Sequence, residues 1–353
     1  MDRSERRTGR RRFSVPAWRP PETRSRRRFR LPWVEYLLIR AVETALLSLP
    51  YRGAASLSRI FARIVHALDR KRRQTARRNL ARAFPEWSPA KVDATAFEAY
   101  AHFALVLVEL CFTRRLVRAS TADRYATFVD EDRVFGSLDR GKGLVMVAGH
   151  FGNWELAAYA GALRGMPLSS IARPVDNRRI NDRFVGFRVN TGQEVVYKAD
   201  AMRRMIGVLR ENRVAVIPAD QNVREGGVFV PFFGRPAATI RSAALLSRKY
   251  GAPLLVVNHV RTHPGRFHYR VSFSPPVDPT AFDGAEDPLR ELTAHFTRQL
   301  ERNIREHPEQ YLWMHKRWKT RPPEEVRMLN AEVRNSVSGA LARGAGTAER
   351  LGV

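Results

Sequence analysis

The stretch Leu144-Val145-Met146-Val147-Ala148-Gly149-His150-Phe151-Gly152-Asn153-Trp154-Glu155 decides how this chain is to be read. Five apolar residues in a row, closed by a glycine, predict a buried strand over Leu144–Ala148. The residues from Glu155 to Leu163 follow as a helix. A histidine and a glutamate therefore stand where a strand's carboxyl end turns into a helix, the edge at which ligands collect in open α/β sheets. On one continuous helix His150 and Glu155 would lie roughly 140° apart. They meet only if His150 sits on the turn and Glu155 in the helix's first turns. Gly149 and Gly152 supply the backbone freedom for such a turn. A carboxylate beside one imidazole nitrogen fixes the tautomer and raises the basicity of the other, which is general-base machinery. Spacing alone leaves a purely structural role for the pair open.

Outward from this stretch, short apolar runs alternate with helical ones. Strands are predicted at Leu168–Ala172, Val195–Tyr197, Val214–Pro218, Leu254–Val260 and Phe267–Phe273. Helices are predicted near Asn177–Val189, Ala201–Arg210, Ile240–Tyr250 and Pro288–Glu306. The alternation argues for an α/β fold whose mixed, largely parallel sheet is flanked by helices. From Pro50 to about Arg118 the apolar spacing of three and four (Leu57, Ile60, Phe61, Ile64, Val65) predicts a helical N-terminal region instead. The expected organisation is a basic disordered arm over 1–30, a helical region over 31–135, a catalytic domain over 136–322 and a flexible tail over 323–353.

Charge restricts the partners. The 353 residues carry a formal net charge of +27 with 44% hydrophobic residues. That balance fits a globular protein that meets nucleic acid, anionic lipid or an acidic protein carrier. Residues 1–30 alone hold twelve arginines against Asp2, Glu5 and Glu22, with no apolar run that would make a secretory signal. The next segment, Leu31 to Leu49, is dense in apolar residues, yet Pro32 and Pro50 confine it to a helix of about 27 Å. That barely reaches the roughly 30 Å of a bilayer core. Glu35, Arg40 and Glu43 fall on one side of it, so it reads as an amphipathic helix. Behind an arginine-rich arm this resembles a two-signal interfacial anchor; a helix packed on the protein's own core is the alternative. The single cysteine, Cys111, forms no internal disulfide and is read as a small buried residue.

Several further segments share one pattern: Arg173-Pro174 with Asn177, Pro218-Ala219-Asp220-Gln221, Gly227-Val228-Phe229-Val230-Pro231-Phe232-Phe233-Gly234, Ala238-Thr239, and Pro308-Glu309-Gln310-Tyr311-Leu312-Trp313-Met314-His315-Lys316-Arg317-Trp318-Lys319. With Gly149–Glu155, their order and spacing over roughly residues 30–320 resemble the bacterial lipid A late acyltransferases, the lauroyl/myristoyl group within the His-x-x-x-x-acidic acyltransferases of glycerolipid synthesis. The resemblance implies a glycerolipid-acyltransferase-like fold and direct acyl transfer from acyl carrier protein to a hydroxyl of a lipid A precursor. It implies His150 as the base that deprotonates the hydroxyl and Glu155 as the group that holds the imidazolium. Arg173 and Arg188 are expected as phosphate or carbonyl ligands, and Asp220 as a group orienting an arginine or the acceptor. Gln221 is included among the substrate-binding residues. Phe229, Phe232 and Phe233 are candidates for an acyl groove or for plain core. No cofactor is expected beyond the acyl carrier protein thioester as co-substrate.

His259, His263 and His268 invite a zinc reading, but a Pro264-Gly265 turn separates predicted strands and no carboxylate lies close in sequence, so no metal is expected. A nucleic-acid binder would explain the charge, yet no helix-turn-helix or zinc-finger pattern is present and Gly149–Glu155 would be left without a purpose. Acylation of another glycolipid, such as a phosphatidylinositol mannoside or an ornithine lipid, uses the same machinery and stays open. The expected location is the cytoplasmic face of a bacterial inner membrane, with that anionic surface as a partner. Deleting residues 1–30 is expected to release the protein from anionic vesicles in a sedimentation assay.

Overall fold

The computed structural model describes residues 31–198 and 201–323. The arginine-rich arm, residues 199–200 and all but residue 323 of the expected tail lie outside the described residues. Four helices come first: α1 (Pro32–Leu47), α2 (Tyr51–Leu68), α3 (Arg70–Ala83) and α4 (Pro89–Leu116). Their starts follow ordinary capping chemistry. Asp69 accepts from the Arg72 amide at the head of α3, and Ser88 accepts from Lys91 at the head of α4, where Pro89 needs no donor.

α1 is inverted relative to a soluble amphipathic helix. None of its residues is buried. Its polar side faces the protein: Glu43 pairs with Arg40 and Arg183, and Glu35 accepts from the side-chain amide of Asn177. Its apolar side, with Trp33, Leu37, Leu38, Ile39 and Val42, is exposed. α2 adds a second bare stripe of Leu57, Ile60, Phe61, Ile64 and Leu68, the last 78% exposed. A globular helix turns such a stripe to the core. By contrast α4, long and apolar enough to cross a bilayer, has 61% of its most apolar window buried inside the protein and serves as a core helix.

The remainder builds a seven-stranded sheet. In chain order its elements are β1 (Ala126–Val129), α5 (Asp132–Leu138), β2 (Leu144–Ala148), α6 (Trp154–Leu163), β3 (Leu168–Ala172), α7 (Arg178–Val189), β4 (Glu194–Tyr197), α8 (Ala201–Arg210) and β5 (Val214–Pro218). The hairpin β6 (Gly227–Phe232) and β7 (Arg235–Ile240) interrupts, before α9 (Ser242–Tyr250), β8 (Leu254–Arg261), β9 (Tyr269–Phe273) and α10 (Pro288–Glu306) complete it. The strand order is β1-β9-β8-β2-β5-β3-β4, and every neighbouring pair is parallel except β8 with β9. β2 and β8 are buried along their whole length, as strands covered on both faces must be, which is why β2 and the first half of β8, Leu254–Val257, read as unbroken apolar runs. One core lies between the sheet and α8, α9 and α10, the other beneath α5 and α6.

The strands at 144–148, 168–172 and 214–218 and the helices α8 and α10 have the bounds expected from sequence. β1, α5 and the β6–β7 hairpin were not expected. β1 is four residues long and half exposed, too short for a period to register. The hairpin turns on Phe233 and Gly234, both at positive φ (52° and 65°), the geometry of a two-residue hairpin turn. Phe233 holds that unusual conformation because its amide donates to Glu301 at 2.6 Å and its ring packs on Phe84 and Trp313. Phe232 and Phe233 are thus core residues and line no acyl groove.

A buried ion pair joins the helical region to the sheet. Glu109 of α4, fully buried, is bound by Arg261 of β8, by the hydroxyls of Tyr51 (3.1 Å) and Tyr269 (2.7 Å), and by the Asn153 amide (3.0 Å). Removing one partner of such a pair strands the other charge. Arg261→Met is expected to cost about 3–5 kcal/mol in chemical denaturation, with part recovered in the double variant Glu109→Leu/Arg261→Met.

Candidate active site

β2 and β5 are adjacent, parallel and in register to their ends, with Ala148 opposite Pro218. Two residues beyond each end stand His150 and Asp220, which the register brings together. One Asp220 oxygen accepts from the His150 backbone amide at 2.9 Å and the other meets ring Nδ1 at 2.8 Å. Asp220 is 2% exposed. Burial works against its ionisation, but the charge and hydrogen bonds of His150 outweigh that and hold its pKa below the usual value. An ionised carboxylate only accepts, so Nδ1 carries the proton and Nε2 presents its lone pair. The Gln221 amide nitrogen lies 3.3 Å from that Nε2. Burial lowers the pKa of His150, yet the Asp220 carboxylate, with a further contribution from Glu155, more than offsets it, and the net shift is upward.

Glu155 does not touch the His150 ring as expected. It is the second residue of α6 and points towards α7, where Arg188 grips it with Nε at 2.9 Å and Nη2 at 2.5 Å. The Trp154 indole donates to it at 3.0 Å. Arg188 is correspondingly an ion-pair partner of Glu155 first, with Nη1 outside the pair. Asp220, expected to orient an arginine or the acceptor, orients the histidine instead. Arg173 is exposed at the carboxyl end of β3.

All of these except the residues of the β5 loop line one cavity of about 230 Å³ between the sheet and α6. It begins at His150, Trp154, Glu155, Arg173 and Arg188 and runs back along β2 past Ala148 and Met146 to Phe128 and Phe273. Its inner walls are apolar. Among the described residues the hydrogen bonds of His150 go to Asp220, Gln221 and the Leu312 amide, none of them a hydroxyl or thiol. The arrangement can accept a proton at Nε2 beside an apolar slot with a guanidinium near by. It has the parts for deprotonating a hydroxyl next to a bound hydrocarbon chain.

The turn is held from outside. Phe151 bridges Tyr311, Gly152 N–H donates to Gln310, and Leu312 N–H donates to the His150 carbonyl at 3.1 Å. Asn153 caps α6 through Leu156 N–H while its amide donates to Glu109. The buried His102, its pKa lowered to about 3 mainly by burial, hydrogen-bonds the Gly152 carbonyl as a neutral ring. The Gly-His-Phe-Gly-Asn-Trp-Glu run and the Pro308–Lys319 run are thus two halves of one construction.

The profile of the bacterial lipid A biosynthesis acyltransferases matches residues 22–320. The chain belongs to that family. This acyltransferase is 26% identical over 283 residues to the lipid A biosynthesis palmitoleoyltransferase of Escherichia coli K12, covering 78% of this chain and 88% of that protein. It is 26% identical over 297 residues to the lipid A biosynthesis lauroyltransferase of the same organism, covering 82% and 92%. A phosphatidylinositol mannoside acyltransferase of Mycobacterium tuberculosis H37Rv is 27% identical over 256 residues, covering 69% and 76%.

Sequence reasoning passed over Glu109, His102 and the cavity wall. Glu109 had a signal, as the one charge inside the apolar run Phe103–Phe112. The cavity had none, because Phe128 and Phe273 come from β1 and β9, which only the sheet order places on the same side of β2, beyond β8. Gly152 sits at φ 55°, and a Cβ there would fall on the His259 carbonyl oxygen. Gly152→Ala is expected to lower stability by at least about 2 kcal/mol and to abolish transfer, read by thermal unfolding and acyl-transfer assay in parallel.

Proposed function

We propose that this acyltransferase moves a fatty acyl chain from acyl carrier protein to a hydroxyl of a lipid A precursor at the cytoplasmic face of the inner membrane. The observation that carries the reading is the imidazole of His150, held at Nδ1 by a buried carboxylate and presenting Nε2 at the head of an apolar cavity. The donor chain lies in that cavity. The acceptor hydroxyl gives its proton to His150 Nε2 as its oxygen attacks the thioester carbon. The tetrahedral oxyanion is stabilised by Arg188, which Glu155 holds in the cavity wall, and by amides at the head of α6. Its collapse breaks the carbon–sulfur bond, and the imidazolium returns the proton to the departing thiolate. No covalent enzyme intermediate is formed, and Asp220 takes the orienting role that the sequence pattern gives to Glu155.

Charge and surface support the partners. A formal +27 suits an acidic carrier protein, a phosphorylated acceptor and an anionic leaflet. The bare apolar sides of α1 and α2 suit an interface in which apolar residues sink among lipid headgroups. The mycobacterial relative favours one second reading, a phosphatidylinositol mannoside as acceptor. Transfer from an acyl carrier protein thioester series to each acceptor, in membranes, separates the two.

His150→Ala with its fold intact is expected to lose about 100- to 10,000-fold in kcat; an unchanged rate would sink the mechanism. A base works when neutral, so transfer falls as pH drops through the raised His150 pKa. Asp220→Asn removes the carboxylate that raises it. The acidic limb of the kcat profile is expected to move to lower pH while the plateau falls about 100-fold or more.

A further inference from the structure

A second apolar space lies one layer of side chains from the active site, on its other side. A groove of about 390 Å³ lies between α2, α4 and the Pro308–Lys319 run. At its rim stand Phe61 and Leu107, 53% and 58% exposed, and Phe61 belongs to the bare stripe of α2. Its floor is formed by Tyr100, Ala104 and Met314. From there three contacts lead to His150. Leu312 donates its amide to the His150 carbonyl. Phe103 packs on Trp154 at 6.0 Å, and Trp154 on His150 at 5.0 Å. His315 accepts from the amide of Asn222, the neighbour of Gln221, at 3.0 Å. Trp154 and His150 line the first cavity, and Phe103 and Leu312, which touch them, line the groove, so the pair stands between an apolar space that runs into the core and one open to the bare surface of α2.

We propose that this groove holds an acyl chain of the acceptor lipid, drawn from the bilayer while the enclosed cavity holds the donor chain. The inference rests on the acyl-transfer reading and on α2 meeting the membrane. A lipid acceptor brings chains of its own, and lifting a chain out of a bilayer exposes apolar surface at about 0.8 kcal/mol per CH₂. A trough continuous with the membrane-facing stripe removes that exposure as the hydroxyl moves towards Nε2. Transfer also needs two substrates beside one imidazole, and a cavity of about 230 Å³ does not take two chains. Met314 gives the floor an unbranched side chain that adapts to a mobile hydrocarbon. The Tyr100 hydroxyl is buried without a hydrogen-bond partner among the described residues, a costly state that an ester or amide carbonyl at the head of a chain would relieve. Burial, with Asp69, pushes its pKa up to about 12, so it remains a donor.

The test uses the full chain on phosphatidylglycerol vesicles containing a phosphatidylglycerol with a diazirine in its acyl chain. After photolysis, labelled residues are mapped by mass spectrometry. Label is expected at Tyr100 and Met314 on the floor as well as at the rim. Ala104→Trp, which fills the groove away from the catalytic groups, is expected to lose the floor label while binding vesicles as wild type does. In transfer assays it should raise KM for a membrane-borne lipid acceptor about tenfold or more, leaving transfer to a chain-free, water-soluble hydroxyl acceptor unchanged. Ala104→Leu should act in the same direction and less strongly, which keeps the test decisive if the tryptophan disturbs folding. A floor left unlabelled in wild type, floor label from a diazirine-bearing donor thioester, or equal loss with both acceptors would overturn the proposal. The labelling needs no turnover: wild-type protein that labels at the floor but transfers from no thioester would refute the acyl-transfer reading and leave the chain site standing.

Discussion

Both oxygens of one carboxylate grip one residue: Asp220 takes the backbone amide and the ring Nδ1 of His150. The first bond fixes the turn after β2, and the second fixes the tautomer and plane of the ring. This grip exists because β2 and β5 end in register, so that residues two places past each end are neighbours. A slip of one residue in that pairing would turn every side chain of β5 to the opposite face and carry Asp220 away. The sheet order is therefore part of the chemistry.

The helical region has a comparable role at one remove. Glu109 of α4 accepts from Asn153, the residue that caps α6 directly after the turn that carries His150. Arg261 and Tyr269 from the antiparallel pair β8–β9 close on the same carboxylate. Asn79 of α3 donates to the carbonyls of Trp313 and His315, tying α3 to the run that clamps Phe151 and Gly152. Parts of the chain more than two hundred residues apart thus meet on one turn of backbone. α1 and α2 contribute differently, by leaving apolar sides bare. Exposed apolar stripes of this size are uncommon on soluble globular surfaces and are typical of places where proteins meet another apolar surface.

Much of this was legible in the chain by itself. β2 and β5 declare themselves because a strand covered on both faces must be apolar without interruption, and α8 and α10 because their apolar residues recur at helical spacing. His150 stands out for its place between a strand and a helix, and the family for the order of its motifs. Local rules set these features, and local rules can be read along one dimension. The partner of His150 could not be read that way. Glu155 is five residues off and Asp220 seventy, yet Glu155 turns to Arg188 on α7 while strand register delivers Asp220. The fate of Phe232 and Phe233, the inverted face of α1 and the two apolar spaces on either side of the His150 turn are likewise decided by which elements pack together. Nearness along the chain limits what a residue can reach, but only the packed sheet and helices determine which of the reachable groups it meets.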